Sequence, residues 1–217
     1  MAKPTKLQLY PLRDMALENP SDPIRFYFWP LIGPLYRRRV EMCLEECQGG
    51  ERVLEVGFGI GLTFRNLAEL YQEVHGIDLF SDTARVGRFF EQKGIKTLLR
   101  NGDVLSMPYT NEMFDTVLLI SILEHLKPEE QLIAMGEIKR VLKPGGQLVY
   151  GIPVERPFMA LMFRIMGVNI RTLHFSTEKD VGQAAEQTLH RVKLQDLKNP
   201  IIGFGAIYQI GHFVKPV

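Results

Sequence analysis

Between Arg52 and Thr63 the chain reads Arg-Val-Leu-Glu-Val-Gly-Phe-Gly-Ile-Gly-Leu-Thr: a short apolar β-type run that ends on an acid, three alternating glycines, then a helical pattern. Such a turn lets the chain leave a strand sharply and bring bare backbone against a ligand, where a Cβ at Gly57 or Gly59 would obstruct the approach. A glycine turn of this kind also occurs with no ligand. Two acids raise its meaning: Glu55 stands just before the turn, and Asp78 closes the next apolar run, Glu73-Val-His-Gly-Ile-Asp78. An acid about twenty residues on, at the tip of a second strand, is placed to accept hydrogen bonds from a ribose diol. The turn therefore reads as one for a nucleotide-type cofactor.

A chain of 217 residues suffices for one domain with a full core and a lid. Lys and Arg number 26 against 25 Asp and Glu, so there is no global basic field, and nucleic acid is a poor first substrate. Cys43 and Cys47 stand one helical turn apart with no histidine nearby. Two thiols do not complete a zinc site, and they read as buried reduced thiols on a helix. No Cys, His or carboxylate spacing suggests a metal, so none is expected. The start Met-Ala-Lys-Pro-Thr-Lys lacks a signal peptide's apolar core, and no stretch reaches the roughly 18 apolar residues of a spanning helix. A cytoplasmic setting is the expectation.

From Arg52 onward short apolar runs alternate with amphipathic segments, the pattern of a mostly parallel sheet covered on both faces. Strands are expected at Val53 to Val56, Glu73 to Ile77, Lys96 to Arg100, Thr116 to Ile120 and Gln147 to Ile152. Helices are expected at Gly61 to Tyr71, Ser81 to Lys93, Glu129 to Leu142 and Thr177 to Glu186. For the third of these, Leu132, Ile133, Ile138, Val141 and Leu142 supply the apolar stripe, and Lys143-Pro-Gly-Gly stops the helix. Leu189 to Leu197 and Ala206 to Val214 alternate as paired antiparallel strands do, with Pro200, Gly203 and Gly205 between them. The domain organisation is read as a helical and aromatic lid over 1–50 and a cofactor domain over 51–217, with an apolar insertion at 153–176.

Five strands in βαβ order closed by a terminal hairpin resemble the class I S-adenosylmethionine-dependent methyltransferases, over roughly Glu51 to the C-terminus. The motifs that carry the resemblance are Glu55-Val-Gly-Phe-Gly-Ile-Gly, Gly76-Ile-Asp78-Leu79, Gly102-Asp103-Val104, and the run Phe114 to Leu126 with Leu142-Lys-Pro-Gly-Gly146. Within that superfamily the pattern is most similar to the small-molecule enzymes of ubiquinone and menaquinone biosynthesis. The resemblance implies a Rossmann-like sheet of seven strands with an antiparallel terminal hairpin and helices on both faces. It also implies S-adenosylmethionine as cofactor. Glu55, Gly57, Phe58 and Gly59 would line its methionine end, Asp78 its ribose, Leu79, Asp103 and Val104 its adenine, and Ser121 the end of the fourth strand. A small, apolar or lipid-like acceptor would then take the methyl group by in-line displacement.

Several residues have a blander reading. Asp78 could cap the following helix, although Ser81 stands nearer to it; Asp103 could be a turn residue. Asp115 reads as structural. Neither His125 nor His174 is compelling as a general base, and no base is identified; His75, His190 and His212 read as structural histidines within strands. The segment Ile24 to Tyr36, rich in aromatics and followed by Arg37-Arg38-Arg39, leaves two readings open. One is a lid that puts Phe26, Phe28 or Trp29 into the acceptor pocket, favoured because Pro30 and Pro34 would break a long amphipathic helix. The other is peripheral membrane contact through 24–39. A nicotinamide-dependent oxidoreductase and a non-catalytic cofactor-binding partner protein are the alternative functions, the first disfavoured by the Asp103 motif and the Lys-Pro-Gly-Gly turn.

Overall fold

The computed structural model describes residues 6–14, 23–154, 174–198 and 205–217. The strands are β1 (Gly50–Val56), β2 (Tyr71–Asp78), β3 (Thr97–Asn101), β4 (Phe114–Ile120), β5 (Leu142–Pro153), β6 (His190–Lys198) and β7 (Ala206–Val214). They form one sheet in the order β3-β2-β1-β4-β5-β7-β6. The first five strands pair in parallel, and β7 enters antiparallel to both β5 and β6. The expected fold class is the one observed. From β1 the chain winds to the β3 edge and then returns across β1 to β4, so the crevice between the C-terminal ends of β1 and β4 is a switch point where such sheets hold ligands.

The helices are α1 (Gly33–Glu46), α2 (Phe64–Leu70), α3 (Thr83–Gln92), α4 (Pro128–Val141) and α5 (Glu178–Thr188). Alternate residues of the central strands feed opposite faces, as a period of two requires. Leu54, Leu119, Leu148 and Tyr150 pack with α4 and α5, whereas Val53, Leu118 and Val149 pack with residues of α1, α2 and α3. Five expected features change in detail. Pro34 lies in the first turn of α1 and starts a helix of 14 residues, because proline lacks only an N–H that this position leaves unpaired anyway. The cap of α3 is Asp82, which accepts from the Arg85 amide at 2.9 Å, while the Ser81 amide is drawn to Asp78. Leu132 and Ile133 are exposed, and the buried face of α4 is Gln131, Ala134, Met135, Ile138 and Val141, which alone keep the three-and-four spacing. Lys143-Pro-Gly-Gly does not separate helix from strand. β5 begins at Leu142, and its pairing with β4 shifts register between Phe114 and Thr116. His190 stands exposed on β6, unlike buried His75 and His212.

Of the insertion at 153–176, residues 155–173 lie outside the described residues, as do Pro200 and Gly203. Among the described residues no helix is long and apolar enough to cross a membrane.

Candidate functional site

The glycine turn is built as its sequence suggests. Gly57, Gly59 and Gly61 take φ values of +72°, +54° and +74°, which side-chain-bearing residues rarely adopt. At Gly57 the space a Cβ would need is already filled by the Ile122 side chain; at Gly59 nothing lies within 4 Å. The obstacle at Gly57 is thus a side chain of the β4 exit, and only Gly59 presents open backbone.

Two lobes meet at Gly57 and Ile122. One, of about 390 Å³, is bordered by Glu55, Phe58, Gly59, Thr63, Ser121 and, from the N-terminal region, Ile24, Tyr27 and Arg39. The other, of about 370 Å³, is bordered by Asp78, Leu79, Phe80, Asp103, Val104 and His125. All nine residues named from the sequence border this one cleft at the switch point. Phe58 contributes mainly backbone, since its ring packs on Phe64 and over Gly76 in the core.

Glu55 is buried and accepts a hydrogen bond from the Thr63 hydroxyl. Burial pushes its carboxyl up to about 8, a shift that the Thr63 bond opposes and the nearby Asp78 charge adds to. Asp78 ties two loops together: its Oδ2 accepts from the Gly59 amide and its Oδ1 from the Phe80 and Ser81 amides, all at 2.9 Å. A carboxylate has about four acceptor sites, so one stays open on Oδ2. Asp103 Oδ1 accepts from the Leu105 amide at 2.9 Å and so also acts as the turn residue of the blander reading. Ser121 holds φ +57° at the end of β4, with its hydroxyl 2.9 Å from that of Tyr208. Asp115 accepts from the Glu51 and Arg52 amides and from Lys143 Nζ at 2.8, 2.7 and 2.8 Å, binding β1 to the start of β5. Its role is structural.

Arg39 was hidden in a basic run. Its neighbours stay outside the cleft: Arg37 donates to the Tyr27 carbonyl and Arg38 pairs with Glu45. Arg39 donates to the Tyr27 hydroxyl at 3.1 Å and lies over the rings of Tyr36 and Tyr208 at 4.2 and 5.5 Å. Its Nε is buried with no hydrogen-bond partner among the described residues. The helical spacing Arg39–Cys43 was the available signal, since Cys43 is fully buried on the same face of α1. The aromatics also fall differently from expectation. Ile24 and Tyr27 border the cleft, whereas Phe26 packs edge-on against Trp29, which is 54% exposed, and Phe28 lies beside Arg37.

Sequence spacing concealed one further cluster. Glu124 and His125 close a short 3-10 turn after β4, and His174, fifty positions on, folds back to them; one ligand atom from each lies within 4.8 Å of the others.

Residues 54–150 match the family described as "Methyltransferase domain". The chain is 32% identical over 119 residues to a demethylmenaquinone methyltransferase of Tropheryma whipplei, covering 54% of this chain and 48% of the relative. It is 30% identical over 138 residues to a ubiquinone biosynthesis O-methyltransferase of Alkalilimnicola ehrlichii, covering 63% and 54%. The chain spans about half the length of the curated relatives it matches. Among solved structures, the N-methyltransferase NodS of Bradyrhizobium japonicum in complex with S-adenosyl-L-homocysteine superposes with a TM-score of 0.66 at 20% identity, over 94% of this chain and 96% of that one.

Proposed function

We propose that this chain, which carries a methyltransferase domain of the class I S-adenosylmethionine-dependent kind, transfers a methyl group from S-adenosylmethionine to a small, apolar or lipid-like acceptor. One observation carries the reading: a single lobe holds both the Glu55 carboxyl and the Arg39 guanidinium, without an ion pair between them to cancel either. Once an ammonium displaces the proton from Glu55, this pair matches the ammonium and carboxylate of a bound amino-acid moiety. A dinucleotide would instead set its pyrophosphate against the glycine turn and bring no ammonium to meet Glu55.

S-adenosylmethionine supplies a methyl group already activated on a sulfonium. The chain's own residues then have to bind, orient and exclude water. Glu55 holds the ammonium end and Arg39 the carboxylate, Asp78 accepts from a ribose hydroxyl through the open site on Oδ2, and Leu79, Asp103 and Val104 flank the base. Ile24, Tyr27, Leu62, Ile120 and Ile122 give the methyl-side lobe an apolar wall, which suits an apolar acceptor. Exposed Trp29 and Leu31 favour a second, compatible reading in which the acceptor is met at a lipid surface.

Calorimetry against S-adenosylmethionine and NAD, followed by transfer of labelled methyl to phenols and quinols with apolar tails, tests the reading. Micromolar binding of the methyl donor, none of NAD and label in the organic phase are expected; NAD binding alone would favour the oxidoreductase.

A further inference from the structure

We propose that Glu124, His125 and His174 form a binding site for a divalent transition metal beside the cofactor cleft. One ligand atom from each residue lies within 4.8 Å of the other two. A metal held at about 2.0–2.2 Å from each donor needs them roughly 3–3.5 Å apart, a contraction within reach of small side-chain rotations. Two imidazoles and one carboxylate favour zinc, iron(II) or cobalt(II) over magnesium or calcium, which prefer oxygen ligands.

The backbone around the cluster is tied down independently of any ion. The Phe175 and Ser176 amides donate to the Glu124 carbonyl at 2.8 and 3.3 Å, and the Ser176 hydroxyl donates to the Leu126 carbonyl at 2.7 Å. From the other side, buried Gln131 on α4 donates to the Leu123 carbonyl at 2.6 Å. These bonds lock the 3-10 turn to the approach of α5, whose cap is Thr177 in a reciprocal pairing with Asp180. The backbone that carries Glu124 and His125 and the segment following His174 are thereby held together, which gives the site a rigid base. The His125 and His174 rings stand edge to face with centroids 5.3 Å apart.

Position gives the site a use. His125 borders the adenosine lobe. The ion would stand at the edge of the adenosine lobe, so metal and donor binding should influence one another. This use rests on the function proposed above.

The test is titration of the chelator-stripped full chain with Co²⁺, followed by visible absorption and displaced by Zn²⁺. One Co²⁺ per chain with low-symmetry d–d bands is expected. His125→Ala and His174→Ala should each weaken it by more than the roughly 10–100-fold that loss of an outer-shell partner costs, with far-UV circular dichroism unchanged. Should either variant misfold, metal analysis of the wild type and isosteric Glu124→Gln still decide. Absence of saturable Co²⁺ or Zn²⁺ binding by the folded wild type, or binding indifferent to both histidines, overturns the site. Calorimetry with S-adenosylmethionine on the stripped protein separates the two proposals: donor binding without metal binding removes only the metal site, and metal binding without donor binding removes only the methyltransferase reading.

Discussion

The Glu55 carboxyl accepts from the Thr63 hydroxyl beneath the glycine turn, and both groups are almost wholly buried. With its carboxyl pushed up to about 8 by burial, Glu55 is mostly protonated at neutral pH in the free protein. A cationic ligand end favours the carboxylate, so binding of S-adenosylmethionine at pH 7 should release most of a proton, and affinity should rise with pH until, near 8, loss of the ligand's own ammonium proton opposes it. Calorimetry in buffers of different ionisation heat counts the proton. Glu55→Gln should abolish the release and the rise in affinity below about pH 8.

The same shift acts on stability with a definite sign. The folded carboxyl keeps its proton up to about 8, whereas the unfolded one loses it near 4.3. Its contribution is therefore complete below the unfolded value and is lost as pH rises toward about 8, by at most about 1.4 kcal/mol per pH unit. His75, held below its usual value by burial against the raising effect of Glu73, acts in the opposite direction. The difference between wild type and Glu55→Gln cancels it. Urea midpoints at pH 5 and pH 8 should show the variant gaining on wild type at the higher pH; a constant gap would mean that Glu55 titrates normally.

Gly57 and Ile122 define a second test. The positive φ alone should cost Gly57→Ala about 1–2 kcal/mol, and the overlap with Ile122 adds to it. Ile122→Ala removes the overlap but not the backbone strain. In a double-mutant cycle the Gly57→Ala penalty should shrink in the Ile122→Ala background without vanishing. An unchanged penalty would place the whole cost in the turn conformation.

Asp78 accepts three loop amides, so Asp78→Ala should lower both thermal stability and donor affinity, the latter by about 1.5–3 kcal/mol. Equal affinity in a folded variant would remove the ribose role and leave Asp78 as a loop brace.

The sequence carried the strands well because each central one is a short, mainly apolar run bounded by glycine or an acid, a signal that depends only on neighbours in the chain. Val53 to Val56 and Thr116 to Ile120 fall inside β1 and β4 as found. What it could not carry were relations set by tertiary approach. Leu132 and Ile133 look like core residues until α4 docks through Gln131 and Met135. Arg39 looks like part of a surface run until α1 turns it toward Tyr27 and Tyr208. His174 acquires a partner chemistry only when the approach to α5 folds back on Glu124. All nine candidate cofactor residues came from local motifs and border one cleft; the residues missed there came from distant segments.

Ser121 offers the last prediction, because two variants at one position separate its two burdens. It is a non-glycine residue at φ +57° on the strand end that faces the cleft, and its hydroxyl is a hydrogen-bond partner of the deeply buried Tyr208 hydroxyl. Ser121→Ala and Ser121→Gly both remove that bond, but only glycine also relieves the left-handed backbone. The glycine variant should therefore unfold at higher denaturant than the alanine variant, by about 1 kcal/mol. If the strain serves to aim this strand end into the cleft, donor affinity should run the other way, with alanine retaining more of it than the looser glycine. Equal stability of the two variants would show that the backbone here stores no strain, and the case for Ser121 would then rest on its hydroxyl alone.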